Sequence, residues 1–274
     1  MPAKAKILLA RIAYGGWEHA ALGNFCIQTA VRAQGHPLID DILHAFVDVC
    51  PTPAARHRAI RMARDSGCRI MVQVDADTVP HPDFVLFAAE WLLAQPGPSV
   101  LCSPYVCGLP DCRVQAFRIA TKSAHPGDIG ALEHFGREEA ALKTGVERVA
   151  AAGTGCFACH VEAFDRIAMP YFSYEYADAM QDRVVCTEDV NCFRDLTAAG
   201  VPVCVSWDHW SDHVKEGPVS RPRVVSPEQI WDRTRGMLLA RQEAAEAPAA
   251  PEAVPAPPKA PAARQHKRKA KGRA

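Results

Sequence analysis

Short runs of apolar residues alternate along the chain with stretches whose apolar positions recur every three or four residues. Ile7 to Ala10 predicts a first strand, and the nearly continuous apolar run from Arg69 to Asp75 predicts a strand covered on both faces. Between them, apolar residues recur at helical spacing. This pattern predicts a helix with Thr52 as its N-cap and Pro53 in its first turn, ended by Gly67.

The second half of the chain continues this alternation. Helical patterns cover Asp83 to Ala94 and Glu188 to about Ala199, and strand patterns cover Val100 to Val106 and Val201 to Trp207. Strands that alternate with helices favour an α/β fold built on a mostly parallel sheet flanked by helices. Residues 108–150 show little periodicity, so we expect an excursion over one face, either an acceptor lid or a polar surface loop.

Composition divides the chain into an acidic body and a basic tail. Residues 241–274 hold eight Lys or Arg against three Glu, whereas the preceding 240 residues hold 23 basic and 28 acidic side chains. The tail has almost no large apolar side chains to offset its ordering entropy. We therefore predict a folded domain over residues 1–240 and a disordered tail over 241–274. The tail's basic end suits weak contact with nucleic acid or another acidic surface, and a solubilising role explains it equally well.

Apolar runs and cysteines bear on the cellular compartment. No run approaches the roughly 18 apolar residues that a membrane-spanning helix needs, and the first apolar run is too short for a secretory signal, so we expect a cytoplasmic protein. Eleven cysteines are present, mostly inside apolar segments. Cys156 and Cys159 have the spacing of half a zinc site, but a second such pair is missing, and we therefore favour reduced structural thiols.

Asp75 and Asp77 follow directly from a predicted buried strand. Open α/β sheets bind ligands at the carboxyl ends of their strands, where two carboxylates two residues apart can converge on one divalent cation. Oxygen ligands suit Mg²⁺ or Mn²⁺, and such an ion stabilises a diphosphate as a leaving group. Taken alone, the two residues are equally compatible with an acidic turn.

Glu188 and Asp189 open a predicted helix behind Thr187. Thr187 suits the N-cap position, and the two carboxylates complement the positive end of the helix dipole. A carboxylate in this position that faced a cleft would also accept a proton from a hydroxyl nucleophile. Considered by itself, the capping interpretation is the stronger one.

Two further segments carry candidate chemistry. Gly153 and Gly155, on either side of Thr154, either let a ligand approach the backbone closely or form a turn. His209 and His213 lie beside Asp residues just after a predicted strand, so each is a candidate metal ligand.

The order of these segments resembles that of the GT-A glycosyltransferases, close to their family-2-like members. Four motifs share the family's order and spacing: the D-x-D of Asp75-Ala76-Asp77, the glycine loop from Gly153 to Phe164, the E-D pair Glu188-Asp189, and the closing turn Asp212-His213-Val214. The segment Ala55 to Ala59 is similar to the family's A-R-N-x-A helix, with His57 in place of the usual Asn. The resemblance spans roughly residues 5–217.

The resemblance implies a transferase that uses Mn²⁺ or Mg²⁺ to move a sugar from a nucleotide diphosphate to an acceptor hydroxyl of unknown identity. It implies that Asp189, next to Glu188, is the general base of an inverting reaction. The implied metal ligands are Asp75, Asp77 and His213, the last preferred over His209 because its spacing matches better. The implied nucleotide-sugar and loop contacts are Ala13, Tyr14, Arg56, Asp75, Asp77, Gly153, Thr154 and Gly155.

Two other functions account for part of the sequence. Sugar-1-phosphate nucleotidyltransferases also use acidic metal ligands, but they carry a basic glycine-rich loop near the N-terminus, and the stretch from Ala13 to Glu18 has no Lys or Arg. A nucleic-acid-binding protein would explain the basic tail and none of the ordered acidic motifs.

Overall fold

The computed structural model describes residues 4–13, 16–107, 113–122, 130–176, 184–214 and 218–219. All of them belong to the first of two compact units, Met1–Val224. The tail over residues 241–274 lies outside the described residues, so the domain boundary at residue 240 and the disorder of the tail stay predictions.

Strands predominate among the described elements. The strands are β1 Ala5–Ala13, β2 Ile39–Asp48, β3 Ile70–Asp75, β4 Thr78–Val79, β5 Val100–Cys102, β6 Val106–Cys107, β7 Arg113–Val114, β8 Ala116–Thr121, β9 Ala131–His134, β10 Val146–Arg148, β11 Ala151–Ala152, β12 Cys156–His160, β13 Glu175–Tyr176, β14 Val184–Cys186, β15 Val203–Ser206, β16 Asp212–Val214 and β17 Pro218–Val219. The helices are α1 Ala20–Ala33, α2 Thr52–Asp65, α3 Phe84–Leu93, α4 Arg137–Leu142 and α5 Glu188–Ala198, with a 3₁₀ segment at Val161–Arg166.

A seven-stranded sheet in the order β10-β15-β5-β12-β3-β1-β2 forms the centre of the described fold. Strands β2, β1, β3, β5 and β15 run in one direction, whereas β12, between β3 and β5, and β10, at one edge, run in the other. The α/β class and the mostly parallel sheet expected from the sequence are therefore confirmed, with one antiparallel strand inserted into the middle.

Helices cover both faces of this sheet. Buried side chains of α1 and α3 pack with one face of the sheet, and those of α2 and α5 pack with the other. Strand β3 contributes Met71 to one cluster and Val72 to the other, as the period of two in a strand requires. This two-sided burial explains its continuous apolar run.

Several helix and strand ends differ from the prediction. Pro51, not Thr52, occupies the N-cap of α2, and Thr187 occupies the N-cap of α5 without a side-chain capping bond. The strand predicted over residues 100–106 is divided into β5 and β6, because Pro104 has no N–H to donate to a ladder. Helix α1 and strands β2 and β12 were not predicted from the sequence. The segment from Gly153 to Phe164 was expected to be a glycine loop, but Cys156–His160 within it forms β12.

The excursion predicted over residues 108–150 contains regular structure in its described parts. Strands β8 and β9 form a three-stranded sheet with β11, in the order β11-β8-β9. Short alternating segments such as these give little periodicity, because each spans only two to six residues. The excursion therefore contributes β8 and β9 to a small separate sheet and β10 to the edge of the large one.

Each cysteine among the described residues is a free thiol. Cys156 and Cys159 lie in β12 and point into the two opposite hydrophobic clusters, so they cannot ligate one zinc ion together. Within the described part of the chain, no helix has the length and apolar character needed to cross a membrane.

Candidate active site

The carboxyl ends of three neighbouring parallel strands meet at one edge of the large sheet. Ala13 at the end of β1 lies beside Asp48 at the end of β2, and Ile12 lies beside Asp75 at the end of β3. Ligands of open α/β sheets bind at such an edge. Asp48 was not predicted as a site residue because β2 was not recognised in the sequence. Tyr14, predicted to contact the donor next to Ala13, lies outside the described residues.

A buried arginine on α2 connects two of the predicted acidic residues. Arg56 is 2% exposed, and its two terminal nitrogens lie 3.0 and 3.1 Å from the two carboxylate oxygens of Asp75. Its Nε lies 3.6 Å from Oε1 of Glu188, which is also buried. A planar guanidinium matches a carboxylate in this two-point geometry, so Arg56 fixes Asp75 and places Glu188 beside it.

Burial changes the ionisation of both carboxyl groups. It raises the pKa of Asp75 to about 6, against the opposing effect of the Arg56 charge. Burial also raises the pKa of Glu188, again opposed by Arg56. The positive charge of Arg56 therefore lowers the pKa of both groups and favours their ionised forms.

Replacing the buried guanidinium should strongly destabilise the domain in a pH-dependent way. We expect Arg56→Met to lower the free energy of unfolding by about 3–5 kcal/mol at pH 7.5, because it leaves buried carboxylates without their partner. The loss should shrink at pH 5, below the Asp75 pKa of about 6, because a protonated Asp75 no longer needs the positive charge. Urea unfolding at both pH values measures the difference.

The control for this substitution lies on the same helix. Arg58 is exposed, so Arg58→Met should change the free energy of unfolding by less than about 0.5 kcal/mol. A loss for Arg56→Met that is equal at pH 7.5 and pH 5 would show that packing, not charge pairing, is the main role of Arg56.

His57 contacts residues 171 and 172. Its Nε2 accepts a hydrogen bond of 3.2 Å from the backbone N–H of Phe172, and its ring packs against Tyr171 and Phe172. Burial lowers the pKa of His57, which favours the neutral ring that this acceptor role requires. His57 therefore packs α2 against residues 171–172.

Asp77 and His213 form a second pair at the same edge. Strand β4 follows Asp77 and pairs antiparallel with β16, so that His213 lies opposite Thr78. His213 Nε2 lies 3.2 Å from Asp77 Oδ2, and the Asp77 carbonyl accepts a 2.6 Å hydrogen bond from the backbone N–H of Val214. The β4–β16 ladder thus brings together two residues that are 136 positions apart in the sequence.

His209 lies elsewhere. Its ring stacks on Phe87 with 4.3 Å between ring centroids, and its Nδ1 lies 2.8 Å from Ser206 Oγ. These contacts hold His209 against α3, whereas His213 contacts Asp77. Of the two candidate histidines, His213 is the one next to the D-x-D motif.

Asp189 at the start of α5 contacts the glycine loop. Its Oδ2 accepts a hydrogen bond of 3.4 Å from the backbone N–H of Thr154, and its Oδ1 accepts one of 2.8 Å from Val190 N–H. The Gly155 carbonyl accepts a hydrogen bond from Asp75 N–H at 2.9 Å. The loop therefore connects the D-x-D motif to Asp189, whereas Glu188 faces Arg56.

Tyr105 packs directly over this loop and was not predicted from the sequence. A Cβ added at Gly153 would lie 2.3 Å from the Tyr105 hydroxyl oxygen, and one added at Gly155 would lie 2.8 Å from its ring. The Tyr105 ring also lies 5.2 Å from that of His213, centroid to centroid. Both glycines are therefore needed to accommodate Tyr105.

A methyl group at Gly153 should disturb this packing. We expect Gly153→Ala to lower the free energy of unfolding by about 1–3 kcal/mol, the usual cost of overpacking, as measured by urea denaturation. Gly97→Ala is the matched control, because nothing lies within 4 Å of its added Cβ. Equal effects of the two substitutions would contradict the close packing of Tyr105.

Two hydroxyl groups at the site have no hydrogen-bond partner among the described residues. Thr78 is fully buried and Thr154 is 1% exposed, yet neither Oγ1 is hydrogen-bonded. Buried hydroxyls are normally paired, and exceptions concentrate where a ligand or water belongs. Thr78 adjoins the Asp77–His213 pair and Thr154 adjoins Asp189, so both halves of the site contain an unsatisfied polar group.

The structure brings only some of the predicted metal ligands together. Within the described residues, no group of three or more His, Cys, Asp or Glu side chains is arranged to hold a metal ion. Of the predicted ligands, Asp77 and His213 converge, whereas Asp75 is bound to Arg56. One or two carboxylates, with substrate phosphates supplying other ligands, are typical of Mg²⁺ sites. The Asp77 carboxylate fits this description, and His213 lies 3.2 Å from it.

Comparison with known proteins identifies the fold alone. No protein-family model matches the chain, and no curated protein matches it significantly. A197 from STIV is similar in structure, with a TM-score of 0.51 and 17% identity, over 79% of this chain and 91% of that chain.

Two other solved structures match less well. GalNAc-T7 with UDP, GalNAc and Mn²⁺ has a TM-score of 0.42 and 11% identity, over 78% of this chain and 44% of that chain. HddC from Yersinia pseudotuberculosis has a TM-score of 0.35 and 10% identity, over 85% of this chain and 99% of that chain. At these TM-scores the likeness carries no functional conclusion, and the chemistry has to be inferred from the site.

Proposed function

We propose that this chain is a metal-dependent glycosyltransferase that moves a sugar from a nucleotide diphosphate to an acceptor hydroxyl. One arrangement carries the proposal. The Arg56–Asp75 pair, the Asp77–His213 pair and Asp189 surround the ends of β1 and β3, where α/β sheets bind ligands.

The donor side of the proposed site consists of the first two pairs. Asp77 and His213 would hold Mn²⁺ or Mg²⁺, which when bound neutralises the diphosphate and stabilises it as a leaving group. Asp75 Oδ2 accepts a hydrogen bond from Arg56, whereas Oδ1 has no hydrogen-bond partner among the described residues, so lone pairs remain for a ribose hydroxyl or the ion. The nucleoside would lie at the end of β1, at Ala13 and beside helix α2, and Tyr14 stays a predicted contact.

The acceptor side consists of Asp189 and the glycine loop formed by Gly153, Thr154 and Gly155. Asp189 accepts the proton of the acceptor hydroxyl while that oxygen bonds to the anomeric carbon and the bond from this carbon to the diphosphate oxygen breaks. Attack from the face opposite the leaving group inverts the anomeric configuration. The Thr154 and Val190 N–H groups hold the Asp189 carboxylate in one orientation for this step.

A sugar-1-phosphate nucleotidyltransferase is the second candidate, and one contact disfavours it. Arg11, the basic residue nearest the loop after β1, is engaged with Glu18 at 2.7 Å. The stretch from Ala13 to Glu18 contains no Lys or Arg. This loop therefore lacks the uncommitted positive charge that binding of a nucleoside triphosphate requires.

Product analysis separates the two candidates. The protein is incubated with Mn²⁺ and each common UDP-, GDP- or dTDP-hexose, and separately with nucleoside triphosphates and hexose 1-phosphates, and phosphorus NMR identifies the products. Release of a nucleoside diphosphate from a nucleotide sugar supports the glycosyltransferase. Formation of pyrophosphate from a triphosphate and a sugar phosphate would overturn it.

A further inference from the structure

A large cavity lies near the acidic site, apart from the residues proposed to bind the donor. Its volume is about 790 Å³, within the range of about 300–1,000 Å³ typical of small-molecule sites. Its walls come from strands β8 and β9, the β6–β7 pair, the β13–β14 pair and one face of α5. The described residues that line it include neither Asp75 nor Asp77, so the cavity is distinct from the proposed metal and nucleotide positions.

Two of the segments that line the cavity are connected to the proposed base or to the glycine loop. Thr187 and Val190, on either side of Glu188 and Asp189 in sequence, both line it. Gln115 also lines it, and the Gln115 carbonyl accepts a 3.0 Å hydrogen bond from the backbone N–H of Gly153 in the glycine loop. Asp189 and the glycine loop are not among the described residues that line the cavity, but Asp189 directly precedes Val190 and Gly153 is hydrogen-bonded to Gln115.

The lining combines an apolar surface with planar hydrogen-bonding groups. Phe117, Leu132 and Val190 supply the apolar part, while Gln115 and Glu175 supply an amide and a carboxylate. A carbohydrate needs this combination, because its C–H face is apolar and its neighbouring hydroxyls each donate and accept. A long acyl chain would require a uniformly apolar cavity instead.

The charges in the lining do not favour an anionic acceptor. Arg113 and Arg194 bring two positive charges, and Glu175 brings one negative charge. Arg194 Nη1 lies 2.9 Å from Glu175 Oε2, so this arginine is already neutralised by its neighbour. A phosphate group would require more uncompensated positive charge than this.

We propose that this cavity is the acceptor site and that the acceptor is a carbohydrate, whose reacting hydroxyl extends toward Asp189. The inference rests on the proposed transferase function, and it assigns Gln115 and Glu175 to hydrogen bonds with sugar hydroxyls. The described parts of the 108–150 excursion supply Arg113 from β7, Phe117 from β8, Leu132 from β9 and Gln115, between β7 and β8, to the cavity lining.

Saturation-transfer NMR with defined probes tests the assignment. The probes are maltose, cellobiose, mannobiose and diacetylchitobiose, with a serine- and threonine-rich peptide and decanol as probes of other acceptor classes. Gln115→Leu and Glu175→Gln should each weaken the binding of a bound disaccharide roughly fivefold, the usual effect of losing one hydrogen bond. Glu133→Gln is the matched control, since Glu133 is ion-paired with Arg118 and does not line the cavity.

The outcomes distinguish failure of the carbohydrate-acceptor assignment from failure of the proposed glycosyltransferase function. Disaccharide binding that falls in both cavity variants, with nucleotide-sugar binding unchanged, supports the carbohydrate assignment. Binding of the peptide or decanol alone, binding of no disaccharide, or equal disaccharide binding in all variants would overturn it. Failure of the wild-type protein to bind any nucleotide sugar would instead refute the glycosyltransferase function itself.

Discussion

Asp189→Asn should lower the rate of sugar transfer by about 10²–10⁴-fold, the usual contribution of a general base, while donor affinity stays within about twofold. The asparagine carbonyl can still accept the hydrogen bond from Val190 N–H, so the start of α5 should keep its structure. The amide cannot take a proton from the acceptor. Single-turnover transfer and calorimetric titration of the donor measure the two effects separately.

Asp195→Asn is the matched control for this prediction. Asp195 lies on the same helix and its side chain is 52% exposed, so the same chemical change there should leave transfer unaffected. Donor affinity that falls as far as the rate in Asp189→Asn would contradict the base role and place Asp189 in donor binding. Transfer by Asp189→Asn at close to the wild-type rate would exclude Asp189 from both the base role and donor binding.

Asp77→Ala should remove the effect of Mn²⁺ on donor binding. Loss of partners around a metal ligand already costs about 10–100-fold in affinity, so we expect loss of the ligand itself to weaken Mn²⁺-dependent donor binding by at least about 100-fold. The backbone hydrogen bond from Val214 to the Asp77 carbonyl is unaffected by the substitution. The β4–β16 ladder should therefore stay in place.

Titration calorimetry of the donor with and without Mn²⁺ measures this loss. Asp41→Ala on β2 is the control, since Asp41 is exposed and lies seven residues before Asp48 at the strand's carboxyl end. Metal-dependent affinity that survives in Asp77→Ala would assign the metal to other groups and would leave the Asp77–His213 contact with a structural role only.

The fold class followed from the sequence because its central elements carry strong patterns. Strand β3 is apolar at nearly every position since both its faces are buried, and helices α3 and α5 appear within one or two residues of their predicted bounds. Strand β2 was missed because it lies at the sheet edge and half of its positions are exposed. Strand β12 was missed because its residues, Cys156–His160, were assigned to the glycine loop, and its antiparallel direction leaves no mark in the sequence pattern.

The motifs identified the acidic residues of the site but not the contacts among them. The pairing of Asp77 with His213 depends on the β4–β16 ladder, and that of Arg56 with Asp75 and Glu188 on how α2 packs. Such long-range contacts are set by tertiary packing and cannot be read from local spacing. Tyr105 has no motif at all, and the two glycines it covers were attributed to a turn or a ligand.

Thermal unfolding of the wild-type protein with nucleotide sugars, in the presence and absence of Mn²⁺, tests the central claim most directly. A ligand that binds the folded state at 100 times its dissociation constant adds about 2.7 kcal/mol to stability. If Asp75, Asp77 and His213 hold a cation and a diphosphate together, at least one nucleotide sugar should raise the melting temperature by several degrees only when Mn²⁺ is present. A rise that is the same with a chelator, or no rise with any nucleotide sugar, would contradict the account.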